Sequence, residues 1–272
     1  MLDSDPLSVQ DEIHHVPSSK AEVDGKSNIA VIGGGISTAH KVLEMVRERS
    51  SSTRSSDGII YLISRHSLRE QQFDTHQDWM MDNAACKRSL ENGGSGKPSR
   101  QRAFSATSCM KERRSIIQNE RIAGTVTPEV HRGTNGLRYA IESGDVAWKQ
   151  TEVVSCSRQP FVDANGLEHS FLQLGLANGE AINVDKVILA TGFGKRLPGG
   201  SLIESKLVKR AKLMVSRWDG FPIVNEFLAW HKRIYVSGAL AELELGPSAR
   251  NIAGARLSAE RIASALVHES RR

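Results

Sequence analysis

A short apolar run that leads directly into three consecutive glycines constrains the fold of this chain more than any other feature. Ile29–Ile32 are continuously apolar, Gly33, Gly34 and Gly35 follow, and the apolar residues beyond them have helical spacing. A continuous apolar run predicts a strand that is buried on both faces. A second β-rich run, "IIYLIS", begins at residue 59. Strand, helix and strand thus follow one another within roughly 35 residues, which predicts a right-handed βαβ unit and a parallel sheet.

The glycines themselves indicate a phosphate site. A tight turn from strand to helix needs a residue without Cβ at Gly33, and Gly35 lets the main chain approach a pyrophosphate closely. The amino terminus of the helix then favours the negative charge. The first helical turn contains Ser37 and Thr38, and Thr38 stands where the GxGxxG fingerprint prefers Gly or Ala. We predict that this turn, including Gly34, binds a nucleotide; the alternative is that the glycines form only a structural turn.

The end of the second predicted strand indicates which dinucleotide would bind. An acidic residue there would accept a hydrogen bond from the ribose 2′-hydroxyl of NAD or FAD, but the chain has Ser64-Arg65-His66 and, one turn later, Arg69. Planar guanidinium donors match the oxygens of a 2′-phosphate. We therefore predict NADP(H) rather than NAD or FAD at this turn, bound by Arg65 and Arg69. The alternative is that Arg65 is a solvated loop residue.

The rest of the chain predicts an α/β fold in which a Rossmann-like parallel sheet is accompanied by a β-meander. From Val146 onward, β-rich segments indicate a meander with a hairpin turn at Asn178-Gly179, and a last parallel strand is predicted at Val187–Ala190. The C-terminal third adds a helix near residues 202–213, a strand at residues 234–237 and a long helix from about Pro247 to Val267. Pro at a first-turn position and helically spaced apolar residues support this last helix.

The polar segment at residues 66–125 contains a cluster of basic residues that includes Lys97, Arg100 and Arg102. We interpret it as a helical insertion with solvated loops. A nucleic-acid surface is the alternative, but no aromatic ring on which bases could stack lies between these basic residues. His66, His76 and Asp74 could line a substrate entrance, although surface polar residues are the simpler interpretation. We therefore expect no nucleic-acid partner.

Composition excludes several other classes. The three cysteines form no CxxC pair and the histidines no HxxxH or HxH pair, so neither a redox disulfide nor a metal site is predicted. A reducing, cytoplasmic compartment fits best. The first 27 residues resemble neither a secretory signal nor a transit peptide, and no apolar run approaches the ~20 residues of a membrane helix. The net charge of +5 would suit an anionic ligand but is a weak indication.

Three segments together resemble the two-dinucleotide-binding flavoprotein superfamily, in particular its flavin-dependent monooxygenase-like and N-hydroxylase-like branches. They are "VIGGGIST" with "ISRH", "VILATGFG" at residues 187–194, and "RIYVSGALAELELGPSARNIAGARLSAERI" at residues 233–262. The second segment, with Thr191 and Gly192, resembles the ATG turn that links the NADP domain to the flavin domain. The third resembles the closing segment of the flavin domain.

This resemblance implies contacts of the third segment with FAD. Gly238 would approach the ribityl or phosphate part of the flavin, and the next helix would point its amino terminus, with Gly246, Pro247 and Ser248, toward the ring. A helix dipole there would stabilise negative charge on reduced flavin. One departure is Ala239, since the family has Asp after this glycine.

A larger departure is that residues 1–28 contain no FAD fingerprint. The resemblance covers about residues 28–272 and implies an enzyme without its first part. Such a chain would be a truncated or mis-spliced product, or half of a split enzyme whose FAD-binding part a second chain supplies. The implied domains are a flexible leader at 1–27, an NADP-binding domain at 28–195 with the insertion at 66–125, and the C-terminal part of a FAD-binding domain at 196–272.

The resemblance implies an NADP(H)-dependent flavin oxidoreductase of monooxygenase type that acts on a small-molecule substrate. NADPH would give a hydride to FAD, and the reduced flavin would activate dioxygen. Because the cofactors carry this chemistry, no side chain is assigned a catalytic role. The alternative is a non-catalytic NADP-binding module with a regulatory or interaction role.

Overall fold

The computed structural model describes residues 13–15, 27–51, 58–81, 83–94, 96–162, 165–192 and 197–269. The chain divides into two compact units, each assembled from two separate stretches of sequence. Unit 1 comprises Met1–Gln72 and Ala123–Phe193, and unit 2 comprises Phe73–Ile122 and Gly194–Arg272.

The described residues form both strands and helices. In chain order the strands are β1 (Ile13–His15), β2 (Ile29–Ile32), β3 (Ile60–Ser64), β4 (Arg69–Glu70), β5 (Thr125–Val126), β6 (Val146–Gln150), β7 (Val153–Val162), β8 (Glu168–Leu176), β9 (Ala181–Val184), β10 (Lys186–Leu189), β11 (Ala229–His231) and β12 (Ile234–Tyr235). The α-helices are α1 (Ile36–Ser51), α2 (Asn83–Glu91), α3 (Ser99–Ala106), α4 (Met110–Glu120), α5 (Pro128–Arg132), α6 (Leu137–Glu142), α7 (Glu242–Leu245) and α8 (Ile252–Glu269). The other helical segments are 3₁₀ turns at Gln77–Met80, Gly238–Ala241 and Pro247–Arg250, and a π-helix at Leu202–Arg210.

A five-stranded parallel sheet with the order β1-β10-β2-β3-β6 forms the centre of unit 1. Ile29 and Leu62 belong to a buried cluster with α1, whereas Ala30 and Ile63 belong to a second cluster with β7–β9. Both faces of β2 and β3 are therefore covered, which is why these strands are continuously apolar. The predicted α/β fold with its βαβ unit is confirmed.

The described part of the predicted leader differs from the expectation of a flexible segment. Ile13–His15 form β1, which pairs in parallel with Val187–Leu189 at the edge of the sheet. The pairing is formed by main-chain hydrogen bonds, which do not require an apolar sequence. The sequence of this strand therefore does not predict it. The leader prediction for residues 1–12 and 16–26 lies outside the described residues.

Strands β7, β8 and β9 form a separate antiparallel sheet, as the meander prediction requires. Gly179 has a φ of +87° at the turn between β8 and β9, a conformation that glycine adopts without steric cost. The prediction was wrong for the first segment that it assigned to the meander. Val146–Gln150 pair in parallel with β3 instead of joining the meander, and short β-rich segments do not encode which sheet they join.

Unit 2 combines the insertion helices with the C-terminal residues. Trp79, Phe104 and Ile117 are buried in one cluster with Phe221 and Leu243. The segment predicted as an insertion into the nucleotide domain therefore groups, at residues 73–122, with residues 194–272. Burial of its apolar side chains against the C-terminal segment accounts for this grouping.

The long C-terminal helix begins later than predicted. Pro247–Arg250 form a 3₁₀ turn, Asn251 is extended with φ −115° and ψ −179°, and α8 starts at Ile252. The Asn251 side-chain oxygen accepts a hydrogen bond from the Gly254 amide at 3.1 Å, which is the geometry of a helix N-cap. Within the described ranges, no helix combines the length and the apolar composition that crossing a membrane requires.

Candidate functional site

Gly33 follows β2 at the carboxyl edge of the sheet, and only glycine fits its surroundings. Its amide donates to the Ile63 carbonyl at 2.9 Å, and its φ is +152°. A Cβ added here would lie 2.4 Å from both the Ala190 carbonyl oxygen and Thr38 Oγ1. The absence of a side chain thus lets β2, the end of β10 and the start of α1 converge at one point.

Gly34 and Gly35 are half-buried and face neighbouring segments across short distances. A Cβ on Gly34 would lie 3.4 Å from the Ser64 Cβ, and one on Gly35 would lie 3.4 Å from the Gly124 Cα. Gly124 has a φ of +73° and is exposed. The turn therefore faces main chain on the side of Gly124. A lone glycine before β5 has no distinctive sequence signal, and sequence reasoning missed it.

Helix α1 begins directly after the glycines with one exposed and one buried hydroxyl. Ser37 is exposed, whereas Thr38 is 1% exposed. Thr38 Oγ1 makes no hydrogen bond within the described residues, and a buried polar atom without a partner costs free energy. A water molecule or phosphate oxygen at the turn would supply the missing partner. The first amides of a helix are also unpaired within the helix, so this end can accept an anion.

The end of β3 is fixed by hydrogen bonds of a serine. Ser64 is buried, its hydroxyl accepts from Trp148 Nε1 at 2.9 Å, and it donates to the His66 carbonyl at 2.9 Å. These bonds set the direction of the main chain at Arg65, whose side chain is exposed. Arg65 Nη1 lies 3.7 Å from Glu152 Oε1, a contact that the sequence does not indicate.

Arg69 reaches the same region through the short sheet of β4 and β5. Arg69 pairs in register with Thr125, and the Thr125 carbonyl oxygen lies 4.0 Å from a Cβ built on Gly35. Arg69 is exposed. The structure thus brings the segments of Arg65 and Arg69 to two sides of the glycine turn.

The residue after Arg69 is an acidic group that is paired with basic side chains. Glu70 Oε2 lies 2.9 Å from His131 Nδ1, and Glu70 also pairs with Arg132. The hydrogen bond with His131 lowers the pKa of Glu70 below its usual value; burial opposes this shift, and Arg132 adds to it. These contacts hold β4 against α5.

We expect Glu70→Gln to flatten the acid limb of the stability profile. Because the folded-state pKa of Glu70 is depressed, its stabilising contribution is complete above the unfolded pKa of about 4.3 and is lost as pH falls through the folded value. Urea midpoints measured from pH 7 down to pH 3 should therefore fall less steeply in the variant than in the wild type. The exposed Glu129→Gln, on the same helix as His131, is the control. Equal slopes for wild type and Glu70→Gln would contradict the assignment.

The ATG-like turn follows β10 in unit 1. Thr191 and Gly192 are both exposed, and Gly192 has a φ of +85°. They stand at the carboxyl end of a parallel strand, where ligands of α/β sheets bind. Accessible main chain there fits a cofactor contact.

The residues of unit 2 that the resemblance assigns to FAD differ in accessibility. Gly238 opens a 3₁₀ turn with φ +59°, and nothing lies within 4 Å of its absent Cβ. Pro247 is buried. Beside it, a Cβ on Gly246 would lie 2.9 Å from Trp79 Cζ3 and 3.4 Å from Phe104 Cδ1. Gly238 thus fits close approach by a cofactor, whereas Pro247 offers no free surface.

Two of the three remaining polar candidates, His76 and Asp74, have structural partners. His76 Nδ1 accepts from the Asp78 amide at 3.2 Å, and Asp74 pairs with Arg121 at 2.8 Å. His66 is exposed. No cluster of three metal-ligating side chains occurs among the described residues, and no disulfide joins Cys86, Cys109 and Cys156.

Neither the family models nor the curated proteins contain a match to this chain. Solved structures do match. The ornithine hydroxylase PvdA from Pseudomonas aeruginosa aligns with 96% of this chain and 57% of its own, at 18% identity and a TM-score of 0.60. The FAD-bound cadaverine monooxygenase DfoA of desferrioxamine biosynthesis, from Erwinia amylovora, aligns with 94% of this chain and 56% of its own, at 13% identity and a TM-score of 0.55. The chain spans a little over half the length of these enzymes and shares the fold of that part.

Proposed function

We propose that this chain binds NADP(H) at its glycine turn and belongs to an NADP(H)-dependent flavin oxidoreductase of monooxygenase type. The observation that carries the proposal is the glycine turn at the carboxyl edge of the parallel sheet, where Gly33 admits no side chain and α1 begins. Segments with two exposed arginines flank it. The fold likeness to a hydroxylase and to an FAD-bound monooxygenase supports the oxidoreductase class.

In this proposal the chain's own residues bind and orient the dinucleotide. The amides at Gly34 and Gly35 and the Ser37 hydroxyl donate hydrogen bonds to the pyrophosphate, which the start of α1 favours electrostatically. Arg65 and Arg69 bind the 2′-phosphate through charge-assisted hydrogen bonds. NADP(H) and FAD supply the hydride and dioxygen chemistry.

Thr191, Gly192 and Gly238 are the accessible residues that we assign to cofactor contacts of this enzyme type. Pro247 is buried and would contact flavin only after the residues that cover it had moved. The two similar structures are described as an ornithine hydroxylase and a cadaverine monooxygenase. Both compounds are primary amines, so a small amine is the substrate class to test first.

We expect the purified chain to bind NADPH, and Arg69→Ala to weaken that binding by about tenfold or more, because a hydrogen bond to a charged group contributes about 1.5–3 kcal/mol. Isothermal titration calorimetry measures the dissociation constants. Arg47→Ala is a matched control, because Arg47 is also exposed but lies on α1 roughly 18 Å along the helix from Gly35. Folded protein that releases no heat with NADPH, or an unchanged affinity in Arg69→Ala, would count against the proposal.

A second candidate is a non-catalytic NADP-binding module, favoured by the burial of Pro247 and by Ala239 in place of an acidic residue. Titration with FAD separates the two functions. Flavin absorbance retained after gel filtration, with NADPH consumption, supports the oxidoreductase. Colourless protein that still binds NADPH supports the module.

A further inference from the structure

We propose that Glu152 is a specificity-determining residue that weakens the preference for NADP(H) by competing with the 2′-phosphate for Arg65. The inference rests on the proposed function, since it concerns the same nucleotide site. It concerns an acidic group that comes from the neighbouring strand of the sheet, whereas the acidic residue of a dinucleotide fingerprint follows the second strand.

Glu152 is held next to the end of β3 by main-chain hydrogen bonds. Strand β6 pairs with β3 up to Gln150, which is in register with Ser64. The Thr151 amide then donates to the Ser64 carbonyl at 3.0 Å, and the Ala177 amide donates to the Glu152 carbonyl at 2.9 Å. Glu152 is therefore anchored on both sides, directly beyond the last paired residue of β6.

Arg65 is anchored in the same way from the other strand. Its predecessor, Ser64, is bonded to Trp148 and to the His66 carbonyl. With both main chains fixed, the side chains meet through Arg65 Nη1 and Glu152 Oε1 at 3.7 Å. The pair therefore follows from the main-chain hydrogen bonds at the ends of β3 and β6.

Both side chains remain open to solvent, with exposed fractions of 71% for Arg65 and 56% for Glu152. A pair this exposed is weak and can open, so a 2′-phosphate can take the guanidinium. Binding then replaces one anionic partner by another and leaves the carboxylate close to the phosphate. Like charges at short distance repel. Glu152 therefore weakens NADP(H) binding in two ways: it competes for Arg65, and it repels the 2′-phosphate. NADH lacks the 2′-phosphate and escapes both effects.

The test is the affinity of Glu152→Gln for NADPH and NADH, measured by calorimetry at about 0.1 M ionic strength, where the screening length is about 10 Å. We expect NADPH to bind about threefold more tightly than to the wild type, in line with the strength of exposed ion pairs, while the NADH constant changes by less than about twofold. The NADPH gain should shrink in about 0.5 M salt because screening weakens exposed charges. In an Arg65→Ala background the same substitution should give a smaller gain, since only the repulsion remains.

Glu168→Gln is the matched control for the loss of one negative charge. Glu168 is exposed on β8 and pairs with Val162, about 30 Å along the hairpin from Glu152 and beyond the screening length. Equal or weaker NADPH binding by Glu152→Gln, or an equal gain in Glu168→Gln, overturns the role of Glu152 and leaves the proposed function standing. Folded wild type that binds neither nucleotide overturns the proposed function and this inference with it.

Discussion

Gly33→Ala is expected to destabilise unit 1 by on the order of 3 kcal/mol and to abolish measurable NADPH binding. The new methyl group would lie 2.4 Å from the Ala190 carbonyl oxygen and 2.9 Å from its carbon. Both are main-chain atoms at the end of a buried strand, so they can move only if the sheet moves. The φ of +152° adds strain for any residue with a Cβ. Urea unfolding followed by circular dichroism measures the loss of stability.

Gly34→Ala is the matched control for this substitution. Its Cβ would lie 3.4 Å from the nearest atom, the side-chain Cβ of Ser64. A small displacement of Ser64 is therefore enough to accommodate the new methyl group. We expect the control to lose less than about 1 kcal/mol. If Gly33→Ala were as stable as Gly34→Ala, this result would contradict the close approach of β2, β10 and α1 at Gly33.

Glu242→Gln is expected to destabilise unit 2 by about 3 kcal/mol or more. The Glu242 side chain is only 1% exposed, and it pairs with Arg114 and, at 2.7 Å, with Arg250. Arg114 also pairs with Asp219. A neutral amide would leave guanidinium charge in a buried place with one anion fewer, and the loss of one partner of a buried pair costs about 3–5 kcal/mol.

Hydrogen exchange locates this effect, because amides of α4, which carries Arg114, should exchange faster in the variant. Glu142→Gln is the control. Its partner Arg138 lies 2.7 Å away on α6, and both side chains are 61% exposed, so we expect a change below about 0.5 kcal/mol. Equal losses of stability in the two variants would show that burial of Glu242 does not govern its contribution.

The βαβ unit was predictable because its signals are local. A buried parallel strand must be apolar on both faces, and a strand-to-helix turn of this shape needs glycine. The sequence of Ile29–Ile32 and Gly33 is therefore sufficient to predict the strand and the turn. The N-cap at Asn251 is also local, and it was missed because Pro247 offers an earlier helix start. The assignment of these residues to cofactors stays a prediction.

The features that escaped sequence reasoning depend on pairing between distant residues. Nothing within Val146–Gln150 distinguishes a strand that pairs with β3 from one that joins the meander. The contact of Glu152 with Arg65 follows from that pairing, so the sequence does not predict the contact either. The grouping of residues 73–122 with the C-terminal third likewise depends on apolar partners far along the chain.

The interleaved assembly of unit 2 has a consequence for biosynthesis. Residues 73–122 leave the ribosome well before residues 194–272, with about 70 residues of chain between them, and at ~5–20 residues per second this delay is about 4 to 14 seconds. During this interval Trp79 and Phe104 lack the partners that bury them in the finished protein. The nascent chain therefore exposes an apolar surface for chaperones to bind, and unit 2 completes its folding only after residues 194–272 have been synthesised.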